Sequence, residues 1–242
     1  MFKFLKSSKG RSQKSSSKPE TGKRCLVEGL ENRQMFASGP LVYSASASGE
    51  LSKLNVGTGQ TQTIGRMPVI MYDIAVNKFS GQMFGVNSNG KLYKINKSNA
   101  SVSYVGSLGR FANALTFGPD GRLYAAGYNK LMTVSTSNGS STVIGTLGSN
   151  NSAGDLAFDG FSRLYMTTTS NKLVRINLTN HTMTTVGSLG FNQAYGLGFY
   201  NGSLYGFSNT TEKAYKISTA TGQSYAVSYF GSWVNGCNGV SF

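Results

Sequence analysis

Side chains able to carry out acid–base, nucleophilic or metal chemistry are scarce in this sequence. The single histidine, His181, stands in an Asn-His-Thr stretch typical of a turn, where we expect a solvated imidazole rather than a catalytic base. The two cysteines, Cys25 and Cys237, lie in separate regions. With one histidine, they support neither a Cys/His zinc site nor a Ser-His-Asp triad. We therefore assign no catalytic and no metal-ligating residue.

Acidic and amide side chains recur at the starts of similar short segments. Asp73 and Asp155 occupy equivalent positions, and Asn113 and Asn238 stand one step earlier in theirs. Converging carboxylate and amide oxygens are the ligands that a hard cation such as Ca²⁺ prefers. The simpler interpretation is that these side chains accept hydrogen bonds from backbone N–H groups where strands begin. We therefore expect no cofactor, with calcium at this ring as the alternative.

Aromatic and amide residues are found together in the links that precede these segments. An aromatic ring can stack on one face of a neutral ligand such as a sugar, while amides bond to its hydroxyls. The alternative is that the aromatics cap the core and the amides form turns. The predicted ligand-binding residues, with the two aspartates included, are Tyr72, Asp73, Phe111, Asn113, Asn151, Asp155, Asn192, Tyr195, Trp233, Asn235 and Asn238.

These candidates recur because the sequence that positions them is a repeat. Val76, Phe117, Phe158 and Phe199 end similar short segments and are 41 residues apart. Each unit holds four runs rich in Val, Ile, Leu, Thr and Tyr, separated by Gly, Asn or Ser, as expected of strands and hairpins. A period of about 40 residues with four strands per unit is the mark of a β-propeller.

Counting the strands predicts five blades and a closed ring. Residues 41–65 contain a second, third and fourth strand but no first, and Asn238–Phe242 has the pattern of a first strand. The fold class is therefore all-β, a five-bladed β-propeller of four-stranded antiparallel blades. Its ring is closed by the C-terminal strand joining the N-terminal blade. The other predicted blades are 71–106, 112–145, 153–187 and 194–230.

The first 38 residues differ from the rest of the chain in composition and charge. Of the chain's net charge of +14, they carry nine Lys or Arg against three Glu. Up to Lys18 the composition is too polar to bury apolar surface. We predict a disordered basic tail over 1–38 and the propeller over 39–242. No apolar run approaches the roughly 20 residues of a membrane helix, so no transmembrane segment is expected.

Part of this tail resembles a known sorting element. Leu30, Glu31 and Arg33 match the LEPR-type N-terminal segment of many exported or surface proteins of one bacterial group, whereas Asn32 and the Met35-Phe36 pair depart from it. The resemblance is confined to this short stretch. It implies an extracellular or cell-surface location in a bacterium and says nothing of activity.

The blades resemble those of the NHL-like and gluconolactonase-like propeller superfamily. The resemblance lies in Phe117–Tyr124 (FGPDGRLY) and Phe158–Tyr165 (FDGFSRLY), which look like its (V/F)-D-x-x-G-x-(I/L)-Y step. It implies an architecture only, because such steps recur in propellers of every function. Gluconolactonase-like enzymes place Glu, Asn and Asp around a central calcium, and the Glu has no counterpart in the ring at Asp73 and Asp155.

Together these patterns predict a noncatalytic binding or interaction propeller of an exported or surface protein. The expected partner is a glycan, a peptide or a surface protein, bound as a neutral polar ligand at the central-channel face. A metal-dependent lactonase- or lyase-like enzyme is the alternative. Nucleic acid is not expected, because Lys91, Lys94 and Lys97 form the only local basic cluster of the body and lack a basic stacking platform beside them. The chain is expected to be a monomer.

Overall fold

Twenty short β-strands make up the part of the chain that the computed structural model describes, residues 39–231 and 239–241. Blade 1 contains β1 (Leu41–Ala45), β2 (Glu50–Asn55) and β3 (Thr61–Arg66). Blade 2 contains β4 (Asp73–Val76), β5 (Met83–Val86), β6 (Lys91–Ile95) and β7 (Val102–Ser107). Blade 3 contains β8 (Ala114–Phe117), β9 (Leu123–Gly127), β10 (Lys130–Val134) and β11 (Ser141–Thr146). Blade 4 contains β12 (Ser152–Phe158), β13 (Leu164–Thr168), β14 (Lys172–Ile176) and β15 (Met183–Ser188). Blade 5 contains β16 (Ala194–Tyr200), β17 (Ser203–Ser208), β18 (Lys213–Ile217) and β19 (Ser224–Tyr229), and β20 (Gly239–Ser241) follows.

The strands form five four-stranded antiparallel sheets, which confirms the predicted five-bladed β-propeller. Within each blade the strands are paired in chain order, and the first strand of a blade lies beside the first strands of both neighbours. The links between blades and the turns between second and third strands therefore emerge at the same end of the ring. This end is called the upper face below.

The predicted ring closure is also confirmed. β20 pairs antiparallel with β1, with Ser241 opposite Tyr43 and Gly239 opposite Ala45, so that the first blade has the order β20-β1-β2-β3. The two ends of the propeller thus share one sheet. Opening the ring would break this sheet.

The hydrophobic core is divided into layers, one between each pair of adjacent blades. In one layer, Phe84 and Leu92 of blade 2 pack with Leu123 and Met132 of blade 3. Equivalent clusters lie at the other four interfaces. Each fully buried Leu or Met contributes about 1.5–3 kcal/mol, so a blade is stable only between its neighbours.

The fourth strands end later than predicted. The repeat pattern of the sequence predicts that they end at Gly65, Gly106, Gly145 and Gly187, with Val227 in the equivalent place, but the first four run one residue further and β19 runs to Tyr229. Each glycine instead lies at a β-bulge, where the pairing of the third and fourth strands shifts by one residue.

Close contact between blades explains the glycine at this bulge. A Cβ on Gly106 would overlap the backbone carbonyl of Asn138, which belongs to the turn between β10 and β11 of the next blade. At Gly187 it would overlap the carbonyl of Thr221 in the same way. The position therefore excludes side chains for steric reasons.

Replacing this glycine should loosen the ring. We expect Gly106→Ala to lower the free energy of unfolding by about 1–3 kcal/mol, because backbone rather than a movable side chain stands in the way. Gly160→Ala is the matched control, since a Cβ there meets only Phe199 at an ordinary 3.7 Å. Urea unfolding of both variants checks this, and equal stability would show that the interface tolerates the methyl group.

Candidate functional site

Two buried aspartates connect the inner strands around the axis of the propeller. Oδ1 of Asp73 accepts the N–H of Ile74 at 2.7 Å, and its Oδ2 accepts the N–H of Leu115 in the next blade at 2.5 Å. Asp155 repeats the arrangement with Leu156 and Leu197, both at 2.6 Å. Both carboxyl groups are fully buried. These contacts are the backbone N–H bonds that the simpler interpretation of the sequence expects.

The two carboxyl groups also interact with each other across the ring. Burial raises the pKa of Asp73 well above its usual value, and the charge of Asp155 and a side-chain hydrogen bond with it raise it further. The bonds from Leu115 and Ile74 act in the opposite direction but do not cancel the effect. Asp73 therefore keeps a proton at pH values where an exposed carboxyl has lost it.

This raised pKa makes stability depend on pH. The folded chain holds the Asp73 proton more tightly than the unfolded chain, so the stabilisation is fully present below the unfolded pKa of about 4. It is lost as pH rises through the folded pKa, by at most about 1.4 kcal/mol per pH unit. We expect Asp73→Asn to flatten this slope in urea unfolding at several pH values. Asp120→Asn, at an exposed turn, should retain it, and equal slopes in both variants would contradict the assignment.

A cavity of about 360 Å³ lies at the upper face above these aspartates. Its walls come from four blades, and no charged residue is among the described residues that line it. They are Tyr72, Phe111, Asn113, Ser152, Ala153, Gly154, Thr169 and Tyr195. Its volume is within the range of small-molecule sites.

Four lining residues share one position of the repeat. Tyr72, Asn113, Gly154 and Tyr195 are 41 residues apart, and each stands directly ahead of the position held by Asp73 in its own blade. The next position reads Asp73, Ala114, Asp155 and Gly196. Ala114 and Gly196 are each followed by a leucine whose N–H donates to the aspartate of the preceding blade. One repeat position thus holds the blades together, and its neighbour lines the cavity.

Two polar atoms of the cavity have no hydrogen-bond partner among the described residues. They are Oδ1 of Asn113 and Oγ of Ser152. Nδ2 of Asn113 donates to the backbone carbonyl of Ser152 at 3.1 Å, so the Asn113 amide lies against the Ser152 backbone. Ser152 is 4% exposed, so its hydroxyl gains little from bulk water. Within the described residues, the hydrogen-bonding capacity of a buried acceptor and a buried hydroxyl is unused, and a bound molecule could use it.

The rings of Tyr72 and Phe111 belong to the cavity lining, and Tyr128 lies next to them outside it. Tyr72 and Phe111 meet edge to face with their centroids 6.1 Å apart. Phe111 is in turn 4.7 Å from Tyr128, which lies in the turn between β9 and β10. The arrangement offers apolar ring surface beside the two open polar atoms.

The predicted site residues divide into three groups in the structure. Tyr72, Phe111, Asn113 and Tyr195 line the cavity, and Asp73 and Asp155 lie buried beneath it. Two predicted residues are exposed at the rim without lining the cavity: Asn151, whose carbonyl accepts Thr169 N–H, and Asn192, whose Oδ1 accepts from Nδ2 of Asn171. Trp233, Asn235 and Asn238 lie outside the described residues.

Phe191, an aromatic residue of the link between blades 4 and 5, belongs to the core. Phe191 is 6% exposed and stacks on Tyr215 at 4.0 Å, so it caps the core between blades 4 and 5. This is the alternative that the sequence left open for the link aromatics. The turn interpretation of His181 agrees with its φ of 58° between β14 and β15.

Some cavity residues were missing from the prediction. Ser152, Ala153 and Gly154 follow Asn151 directly, and Thr169 lies in the turn between β13 and β14. Thr169 could have been found from the topology, because that turn emerges at the same face as the links. Ser152 carried no signal that separated it from Asn151.

Within 39–231 and 239–241, no three His, Cys, Asp or Glu side chains come together in a way that suits a metal ion. That part of the chain also contains no helix long and apolar enough to cross a membrane. Both the absence of a cofactor and the calcium alternative stay predictions.

Comparisons with known proteins agree with the repeat architecture. A family model described as "Repeat of unknown function (DUF6923)" matches residues 73–230. No curated protein matches the chain. Among solved structures, the chain is similar to one from the "Crystal structure of Nidogen/Laminin Complex", with 16% identity and a TM-score of 0.59 over 83% of this chain and 80% of that one. At this identity the likeness shows the fold alone. The NHL-like and LEPR-type resemblances stay predictions.

Proposed function

Since the chain belongs to the family of repeats of unknown function DUF6923, we propose a function from the cavity itself: noncatalytic binding of a neutral carbohydrate. The observation that carries the proposal is a pair of atoms without a partner among the described residues, Asn113 Oδ1 and Ser152 Oγ, in the cavity that the rings of Tyr72 and Phe111 also line. Adjacent hydroxyls of a sugar can donate to the amide oxygen and accept from the serine, while the ring stacks on an aromatic face.

Charge favours a sugar over a peptide in this cavity. Its described lining holds no Lys, Arg, Asp or Glu, so charged side chains or termini of a peptide would find no partner there. A neutral sugar requires none. The protein neighbour in a nidogen–laminin complex supports an interaction role for such a fold in general terms, and peptide binding is an outcome that the test below distinguishes.

Binding is supported better than the lactonase- or lyase-like alternative. The acidic residues nearest the axis, Asp73 and Asp155, accept backbone N–H bonds with both oxygens and are fully buried. The contacts of both carboxyl groups therefore hold neighbouring blades together. The cavity above them offers hydrogen bonds and ring faces, which are the requirements of recognition.

Removing the open hydroxyl should separate binding from stability. Ser152→Ala deletes a buried group with no partner among the described residues, so we expect the unfolding free energy to stay level or rise by up to about 1 kcal/mol. Binding of neutral gluco-, manno- and N-acetylgluco-oligosaccharides should weaken about threefold to tenfold, the loss of one hydrogen bond. Calorimetric titration and urea unfolding measure the two effects.

Ser141→Ala is the matched control at the outer edge of blade 3. Its hydroxyl donates to the carbonyl of Leu108 at 2.6 Å, so the variant should lose stability and keep sugar affinity. Unchanged binding by Ser152→Ala would contradict the site. If uncharged peptides bind and none of the sugars does, the ligand class is peptide rather than carbohydrate.

We also propose that the protein is exported or displayed at a bacterial surface, on the strength of the Leu30-Glu31-Asn32-Arg33 segment alone. If this segment is a sorting signal, Arg33→Ala should shift the full chain from the surface and medium fractions to the cell interior. Arg24→Ala removes the same charge outside the segment and should leave the distribution unchanged. Identical fractionation of both variants would contradict the proposed export.

A further inference from the structure

We propose that Tyr128 forms a second sugar-binding position at the mouth of the cavity, so that the ligand is a chain of sugar units rather than a single one. This inference rests on the proposed carbohydrate function and deepens it. Three observations on Tyr128 carry it: its ring contact, its exposure and its backbone conformation.

The ring of Tyr128 continues the aromatic wall beyond the cavity. Its centroid is 4.7 Å from that of Phe111 at an interplanar angle of 32°, and Phe111 meets Tyr72 inside the cavity. Rings this close and this little tilted lie partly face to face, so Tyr128 presents its outward face, on which the apolar face of a further sugar unit can stack. A single unit bound at Asn113 and Ser152 would leave the outer ring unused.

Tyr128 is exposed, so packing of the core does not account for an aromatic residue there. The side chain is 64% exposed, whereas Phe111 beside it is partly buried. The exposed surface belongs to the same face as the cavity opening. An exposed aromatic face next to a site is the usual means of extending contact with a polymer.

The backbone at Tyr128 adopts a conformation that does not favour an aromatic residue. Its φ is 50°, in the turn between the paired residues Gly127 and Lys130. The residues with positive φ in the corresponding turns of the other blades are Gly49, Gly90, Asn171 and Glu212. Glycine and asparagine tolerate this region best, so a tyrosine here is retained at a conformational cost.

The same turn is connected to the cavity through the backbone. The carbonyl of Tyr128 accepts the N–H of Ser152 at 2.9 Å, so the outer ring and the open hydroxyl are held in a fixed relation. A side-chain substitution at Tyr128 leaves this bond available. The role of the ring can therefore be tested without dismantling the inner site.

The test is the dependence of affinity on chain length. Neutral gluco-, manno- and N-acetylgluco-oligosaccharides, from the monosaccharide to the hexasaccharide, are titrated calorimetrically into the full chain. We expect affinity to rise between the monosaccharide and the trisaccharide. Tyr128→Asn should lower the affinity for the longer oligosaccharides by about threefold to tenfold, which corresponds to the loss of one stacked ring. It should leave the affinity for the monosaccharide unchanged.

Two further variants separate the ring from other effects. Tyr128→Phe keeps the ring and should keep the gain. Tyr225→Asn makes the same change at a tyrosine 60% exposed on β19, and should also keep it. Asparagine suits the positive φ, so Tyr128→Asn should fold with at least wild-type stability in urea.

The outcomes distinguish this inference from the proposed function. If the wild type binds monosaccharides and longer chains equally, or if Tyr128→Asn keeps the gain, the outer position is refuted while the inner site stands. If the wild type binds none of these sugars, or binds peptides instead, the carbohydrate function itself fails and this inference with it.

Discussion

The buried aspartates that bridge neighbouring inner strands are the constraint on which the rest of this propeller depends. An inner strand pairs on one side only, and its other edge faces the crowded axis, where an unpaired N–H group would be costly. Asp73 and Asp155 each satisfy one N–H of their own strand and one of the next blade. Ala114 and Gly196 stand at the equivalent positions of the two blades that these carboxyl groups reach. In blades 2 to 5 an aspartate and a small residue thus alternate around the axis.

This alternation also fixes the cavity above it. Tyr72 precedes Asp73, and Gly154 precedes Asp155, so the residues that line the cavity are attached to the most strongly held points of the inner strands. Gly154 matters for its size, since a Cβ there would approach the backbone of Tyr195 to 3.1 Å. Side chains held on such rigid elements would need little ordering on binding a ligand, which would favour affinity.

Much of this arrangement can be predicted from the sequence, and the features that cannot be predicted share one physical reason. The period of 41 residues gives the blade count, the ring closure and the shared position of Tyr72, Asn113 and Tyr195. It does not give the direction in which a side chain points when pairing is irregular. In β12 the register shifts between Ser152 and Leu156, so the regular alternation of side chains between the two faces of the strand is interrupted there. Alternation alone therefore does not predict that Ser152 rather than Asn151 lines the cavity. The bulge glycines were misplaced as strand ends for the same reason.

The repeat also separates the residues that hold the blades together from those that line the cavity. The bridging position reads Asp, Ala, Asp and Gly in blades 2 to 5, and the position just ahead of it reads Tyr, Asn, Gly and Tyr. Substitutions at the second position change the wall of the cavity without removing the bonds that Asp73 and Asp155 make to the next blade. Residues that hold neighbouring blades together and residues that line the cavity are thus adjacent in the sequence, and for that reason one can be changed without the other.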